Sequence, residues 1–75
     1  METLVENLAK ALVSHPEEVR VSKEIKDGEI IINLSVAQED MGKVIGKQGR
    51  IAKAIRTLVK AAAIKAGERV TVEIV

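Results

Sequence analysis

The chain has 75 residues, 12 Lys+Arg against 11 Asp+Glu for a net charge of +1, and 47% hydrophobic residues without one Phe, Trp, Tyr or Cys. Those figures exclude a disulfide framework, a thiol nucleophile and thiolate metal sites. They also exclude nucleic-acid modules that stack bases on aromatic rings, and a lone His15 is too little for a histidine metal cage or a Ser-His-Asp triad. The longest apolar run, Ala61–Ile64, falls far short of the ~20 residues of a membrane span. Met1–Lys10 has no basic region ahead of an apolar core, so no signal peptide is read there and a cytoplasmic protein is expected. One domain over 1–75 is the expectation. Below roughly 70–80 residues a single core is marginal, so association with a partner is expected too.

In chain order, Thr3-Leu4-Val5-Glu6 matches a capping box, and Leu4, Leu8 and Leu12, with Val5 and Ala11 beside them, predict an amphipathic first helix. It should stop at Ser14-His15-Pro16, because proline disfavours helix in the residue before it. Val19, Val21 and Ile25 alternate with polar residues as a half-buried strand, Asp27-Gly28 signals a hairpin turn, and Ile30, Ile32, Leu34 and Val36 mark the return strand. Glu39 and Asp40 suit the positive start of a short helix, which Gly46 to Gly49 should break. A long helix is predicted from about Arg50 to Ala66 with Gly67 as its C-cap, then a strand with Val70, Val72 and Ile74 on one face. Helix–strand–strand–helix–helix–strand predicts an α+β two-layer sandwich with its helices on one face of the sheet.

The net charge of +1 conceals a division. Residues 1–40 hold four basic and nine acidic groups, for −5, whereas 41–75 hold eight basic and two acidic, for +6. From Met41 to Gly67 there are seven Lys/Arg and no Asp or Glu, and such asymmetry points to a polyanion-facing surface. On a helical wheel, Ile51, Ala52, Ile55, Leu58, Val59, Ala62, Ala63 and Ala66 fall within roughly 120° and Ala54 widens the arc to about 180°, opposite Arg50, Lys53, Arg56 and Lys60. An arc wider than one sheet needs is read either as alanine helix propensity or as a second contact surface such as a homodimer seam.

Gly42 to Gln48 is not a Walker A loop: Gly42 and Gly46 are too close, and Gln48 follows Lys47 where Ser or Thr must bind Mg²⁺. What remains is Gly46-Lys47-Gln48-Gly49 between two helices. Its glycines permit a tight turn and close approach of a ligand, and the following helix start favours an anion.

Val44-Ile45-Gly46-Lys47-Gln48-Gly49-Arg50, in this element order, resembles the signature of KH domains of type II. The resemblance implies a three-stranded mixed sheet, with the hairpin's return strand parallel to the last strand and a GxxG loop clamping single-stranded RNA or DNA backbone. It implies a binding set of Lys43, Ile45, Gly46, Lys47, Gln48, Gly49, Arg50, Ile51 and Lys53, with the return strand around Ile31–Ser35 lining the other side of the groove. Ala52 departs from the large aliphatic residue many KH domains have there. The length resembles small stand-alone bacterial KH proteins. That implies a cytoplasmic RNA chaperone forming homodimers and pairing with KhpB (also called Jag or EloR), linked to cell-wall growth and cell length. The alternatives are a KH module for single-stranded DNA or ribosomal RNA, or a protein-interaction module whose GxxG loop is structural.

Neither an enzyme nor a metal or cofactor site is expected. His15 sits before Pro16, and Ser14, Ser22 and Ser35 lack a base in any recognisable pattern. Helix-start electrostatics explain Glu39-Asp40, and Met1 and Met41 read as initiator and core filler.

Overall fold

The computed structural model describes the backbone of residues 1–75 and every side chain except that of Lys47. Its elements are helix α1 (Glu2–Leu12), a 3₁₀ turn at Pro16–Glu18, strands β1 (Arg20–Lys26) and β2 (Glu29–Ser35), helix α2 (Gln38–Ala66) and strand β3 (Val70–Ile74). The sheet order is β1-β2-β3, with β1 and β2 antiparallel and β2 and β3 parallel. This is the expected α+β fold with a mixed sheet.

Alternation fixes which face of the sheet is covered. Ile32 and Leu34 on the central strand are fully buried, Val72 beside Ile32 is nearly so, and Val5 and Ala9 of α1 and Val44, Ile55 and Val59 of α2 meet them. The opposite face is polar, tied across strands by Asn33 Nδ2 donating to Glu24 Oε1 at 2.9 Å and Thr71 Oγ1 donating to Glu29 Oε2. β1 is exposed along most of its length. Ile25, expected to be half-buried, is 68% exposed. It lies beyond Lys23, whose Nζ is 3.7 Å from Glu2 at the start of α1, so the helix ends before reaching it.

The hairpin forms at Asp27-Gly28, with φ of 52° and 77°, the left-handed pair of a type I′ turn whose twist matches the strands. The capping box does not form. Helix α1 begins at Glu2 with Met1 as its cap, so Thr3 lies inside the first turn, the Val5 amide donates to Met1 O, and Glu6 pairs with Lys10 at 3.2 Å. The buried line of α1 is Val5–Ala9, while Leu4 and Leu8 pack partly and Leu12 is exposed.

At its far end α2 closes as a Schellman motif. The Glu68 amide donates to Ala63 O and the Gly67 amide to Ile64 O, with Gly67 at φ 71°. That cap turns the chain back, so β3 runs antiparallel to α2 along the outer edge of the sheet.

Candidate nucleic-acid interface

The two helices expected on either side of Gly46–Gly49 are joined in one element. Right-handed helix runs through α2 except at Gln48 and Gly49, with φ of 64° and 67°. Two consecutive left-handed residues redirect the chain without a separate loop. Left-handed backbone costs a non-glycine residue roughly 1–2 kcal/mol, so Gln48 holds a strained conformation while Gly49 adopts its own freely. Gly46 lies in right-handed backbone, and a Cβ built on it would meet no atom within 4 Å. That open space is available for close approach of a ligand backbone.

Beside this turn lies a cleft of ≈ 390 Å³ lined by Ile45, Gln48, Gly49, Ala52, Lys53, Arg56 and Ile74. Its floor is apolar: Ala52 is 6% exposed, and Ile45, at 57%, stands at the rim. Lys53 and Arg56 supply positive charge, and no carboxylate is among the lining residues. Ion pairs among the described residues are confined to Glu6–Lys10, Glu2–Lys23 and His15 with Glu17 and Glu39, so Arg50, Lys53, Arg56 and Lys60 are unneutralised. The opposite wall is β3. Ile30 N–H donates to Arg69 O and Val75 N–H to Leu34 O, so alternation turns the backbone groups of Val70, Val72 and Ile74 away from β2, toward the open edge. Arg56 Nε donates to one of them, Val72 O, at 3.4 Å.

Of the nine residues expected to bind, Ile45, Gln48, Gly49 and Lys53 line the cleft and Gly46 lies in the turn beside it. Lys47 lies outside the described side chains. Lys43 points elsewhere, its Nζ donating to Ser14 Oγ at 3.3 Å. Arg50 and Ile51 are not in the lining; Ile51 packs against the core. The second wall differs from expectation as well. Strand β2, with Ile31–Ser35, is central in the sheet, and β3 lies between it and the open edge. Arg56 and Ile74 were missed. For Arg56 the signal was its place in the cationic arc, one turn after Ala52 and Lys53.

A second polar cluster anchors the start of α2. Asp40, 2% exposed, accepts the Ser14 amide on Oδ1 at 3.0 Å and the His15 amide on Oδ2 at 2.9 Å. His15 Nε2 lies 2.9 Å from Glu39 and its Nδ1 3.6 Å from Glu17. Burial pushes the Asp40 carboxyl up, but the two amides, His15 and Lys43 outweigh it, and its pKa falls below the ordinary 3.8. Burial pulls the His15 imidazole down, but Glu39, Asp40 and Glu17 outweigh it and its pKa rises above 6.5. These contacts tie the end of α1 to the helix that carries the glycine turn.

A left-handed GxxG turn within the helical layer, set beside a parallel β2–β3 pair, defines a KH domain of type II. The chain belongs to the KhpA/KhpB KH-domain family, whose profile matches residues 2–74. It is similar to proteins named RNA-binding protein KhpA: 61% identical to that of Clostridium acetobutylicum and 63% to that of Caldanaerobacter subterraneus subsp. tengcongensis, each over 75 residues and 100% of both chains. Against the Bacillus subtilis protein of that name it is 49% identical over 74 residues, 99% of this chain and 91% of the other. No solved structure matches. The family is non-enzymatic, in agreement with the expectation from Ser14, His15 and the carboxylates. Among the described residues no helix is long and apolar enough to cross a membrane.

Proposed function

We propose that this protein binds single-stranded RNA in the α2–β3 cleft, with the Gly46–Gly49 turn against the phosphates and bases over Ala52, Ile45 and Ile74. The observation that carries this reading is a cleft with an apolar floor, cations without carboxylate partners on one wall and, on the other, a β3 edge on which no further strand pairs. The names of its relatives support RNA as the ligand. Without aromatic rings, affinity rests on phosphate contacts and falls with salt, by a log–log slope of about −0.7 per contact for single strands. Fluorescence anisotropy with a short RNA oligomer should therefore give a slope of roughly −2 to −3, for three or four contacts. Matched DNA and duplex RNA oligomers serve as comparators; absent or salt-independent RNA binding sinks the reading.

The finer reading follows the resemblance: a cytoplasmic RNA chaperone that forms homodimers, pairs with KhpB, and acts post-transcriptionally on cell-wall growth and cell length. One structural feature supports association. Ala54, Leu58, Ala61 and Ile64 form an exposed apolar stripe on α2, with Leu58 at 50% and Ile64 at 70% exposure, while Ala52, Ile55, Val59 and Ala63 fill the core. The wide arc is thus two faces, one buried and one free. A second copy packing on the free face would bury both large side chains at roughly 25 cal/mol per Å² of apolar surface. Leu58→Glu should shift the protein from dimer to monomer in light scattering without lowering helix content. A parent that is monomeric at high concentration overturns the homodimer.

A further inference from the structure

The cleft beside the glycine turn does not end at Arg56. A second depression of ≈ 320 Å³ continues from it, lined by Arg56, Val59, Lys60, Val70, Thr71 and Val72, and Arg56 belongs to both. Its composition repeats that of the first: buried Val59 and Val72 at the floor, cations on the helix wall, the open edge of β3 opposite, and no carboxylate in the lining. Because β3 runs antiparallel to α2, the two walls stay side by side from Gly49 and Ile74 at one end to Lys60 and Val70 at the other. On the helix wall the 11 steps from Gly49 to Lys60 span ~16 Å at 1.5 Å per residue. The four steps from Val70 to Ile74 span ~13 Å at 3.3 Å per residue. Lys53, Arg56 and Lys60 follow each other at three and four residues, so one cation faces the same side at every turn.

From this continuity and charge we infer that the RNA track extends past the GxxG-proximal part of the cleft, into a second subsite at Lys60 and the backbone edge of Val70. The occupant is the continuation of the same single strand. One helical turn adds ~5.4 Å, against a stacked spacing of ~3.4 Å per nucleotide, so the extension holds one to two nucleotides. Lys60 Nζ meets the added phosphate. Val70, whose amide and carbonyl face the edge, offers a donor and an acceptor to the added base. Arg56 sits at the junction, its Nε committed to Val72 O and the rest of its guanidinium facing both halves.

The inference rests on the RNA reading of the first half, and its test separates the two. Oligouridylates of four and eight nucleotides are titrated into the parent, Lys60→Ala and Lys65→Ala. Lys65 is an exposed cation on the same helix but outside the cleft lining, so it controls for overall charge. The expected result is that Lys60→Ala weakens the eight-mer about three- to tenfold, lowers its salt slope by about 0.7, and leaves the four-mer unchanged. Lys65→Ala should show no such length dependence. By NMR, the Val70, Thr71 and Val72 amides of the parent should shift with the eight-mer more than with the four-mer. The extension is overturned if Lys60→Ala affects both lengths equally or neither, or if Lys65→Ala reproduces its effect while the parent binds both RNAs. If the parent binds neither oligomer, the RNA reading of the whole cleft falls, and the extension with it.

Discussion

Lys47→Asp combined with Gln48→Asp should lower affinity for a short single-stranded RNA by at least about 30-fold at low salt, with the fold intact. The two substitutions change the charge of the turn from +1 to −2, beside a cleft whose described lining holds cations and no carboxylate. Removing one cation from a phosphate weakens binding roughly threefold over moderate salt, and repulsion of the RNA backbone by the new carboxylates adds to it. Folding should be spared because Asp tolerates left-handed backbone better than Gln does, and position 48 has φ of 64°. The double variant should keep the parent's circular dichroism and melt within a few degrees of it. Full binding in a gel shift would mean that the turn is a structural connection, and that the cations of α2 serve some other anion.

What could be read in advance, and what could not, divides along a physical line. The β1–β2 pairing, the Asp27-Gly28 turn and the Gly67 cap are consequences of local backbone chemistry, and each forms where the residues place it, whereas the buried line of α1, Val5 and Ala9, and the exposure of Ile25 depend on packing. Thr3 and Glu6 misled because a capping box also requires the helix to start two residues later than it does, and the Met1 carbonyl already accepts the Val5 amide. The strand lining the cleft was misplaced for a different reason. Periodicity identifies the apolar face of β2 and of β3 equally well, but it does not say which is central. The parallel pairing, which the family resemblance implies and periodicity does not, puts β3 outside and thereby brings Ile74 and Val72 to the cleft. Lys43 shows the same limit within the candidate site. Its charge was legible, but its hydrogen bond to Ser14, 29 residues away, depends on how α1 docks against α2. Arg56 was legible as a cation on the right arc; its hydrogen bond to Val72 O depends on the return of the chain after Gly67.

Asp40 carries the largest expected effect on stability. Sequence alone assigned it to the positive end of a helix, yet its side chain turns from its own helix to the chain that leaves α1. There its two oxygens accept separate backbone amides, at 3.0 Å and 2.9 Å. Asp40→Ala removes both acceptors, leaving two amides to find other partners at the junction of α1 and α2. Hydrogen bonds to a charged acceptor are the stronger kind, and a small domain has few others to hold that junction. The melting temperature should fall by on the order of 10 °C, since small domains melt several degrees lower for each such hydrogen bond removed. Asp40→Asn keeps one carbonyl oxygen and should fall between. The pH dependence carries the same signature. With the Asp40 pKa lowered, its contribution is present above 3.8 and is lost as pH falls through the folded value. With the His15 pKa raised, its contribution is complete below 6.5 and is lost as pH rises through the folded value. Stability should therefore peak between those limits. Removing the carboxylate should flatten the acid limb and weaken the His15 response, because Asp40 is one of the charges that raises it. A thermal melt series from pH 3 to pH 8 on parent and variants reads both limbs. An Asp40→Ala protein that melts like the parent at every pH would show that the junction is held by the apolar packing of Val5, Ala9 and Val44 alone.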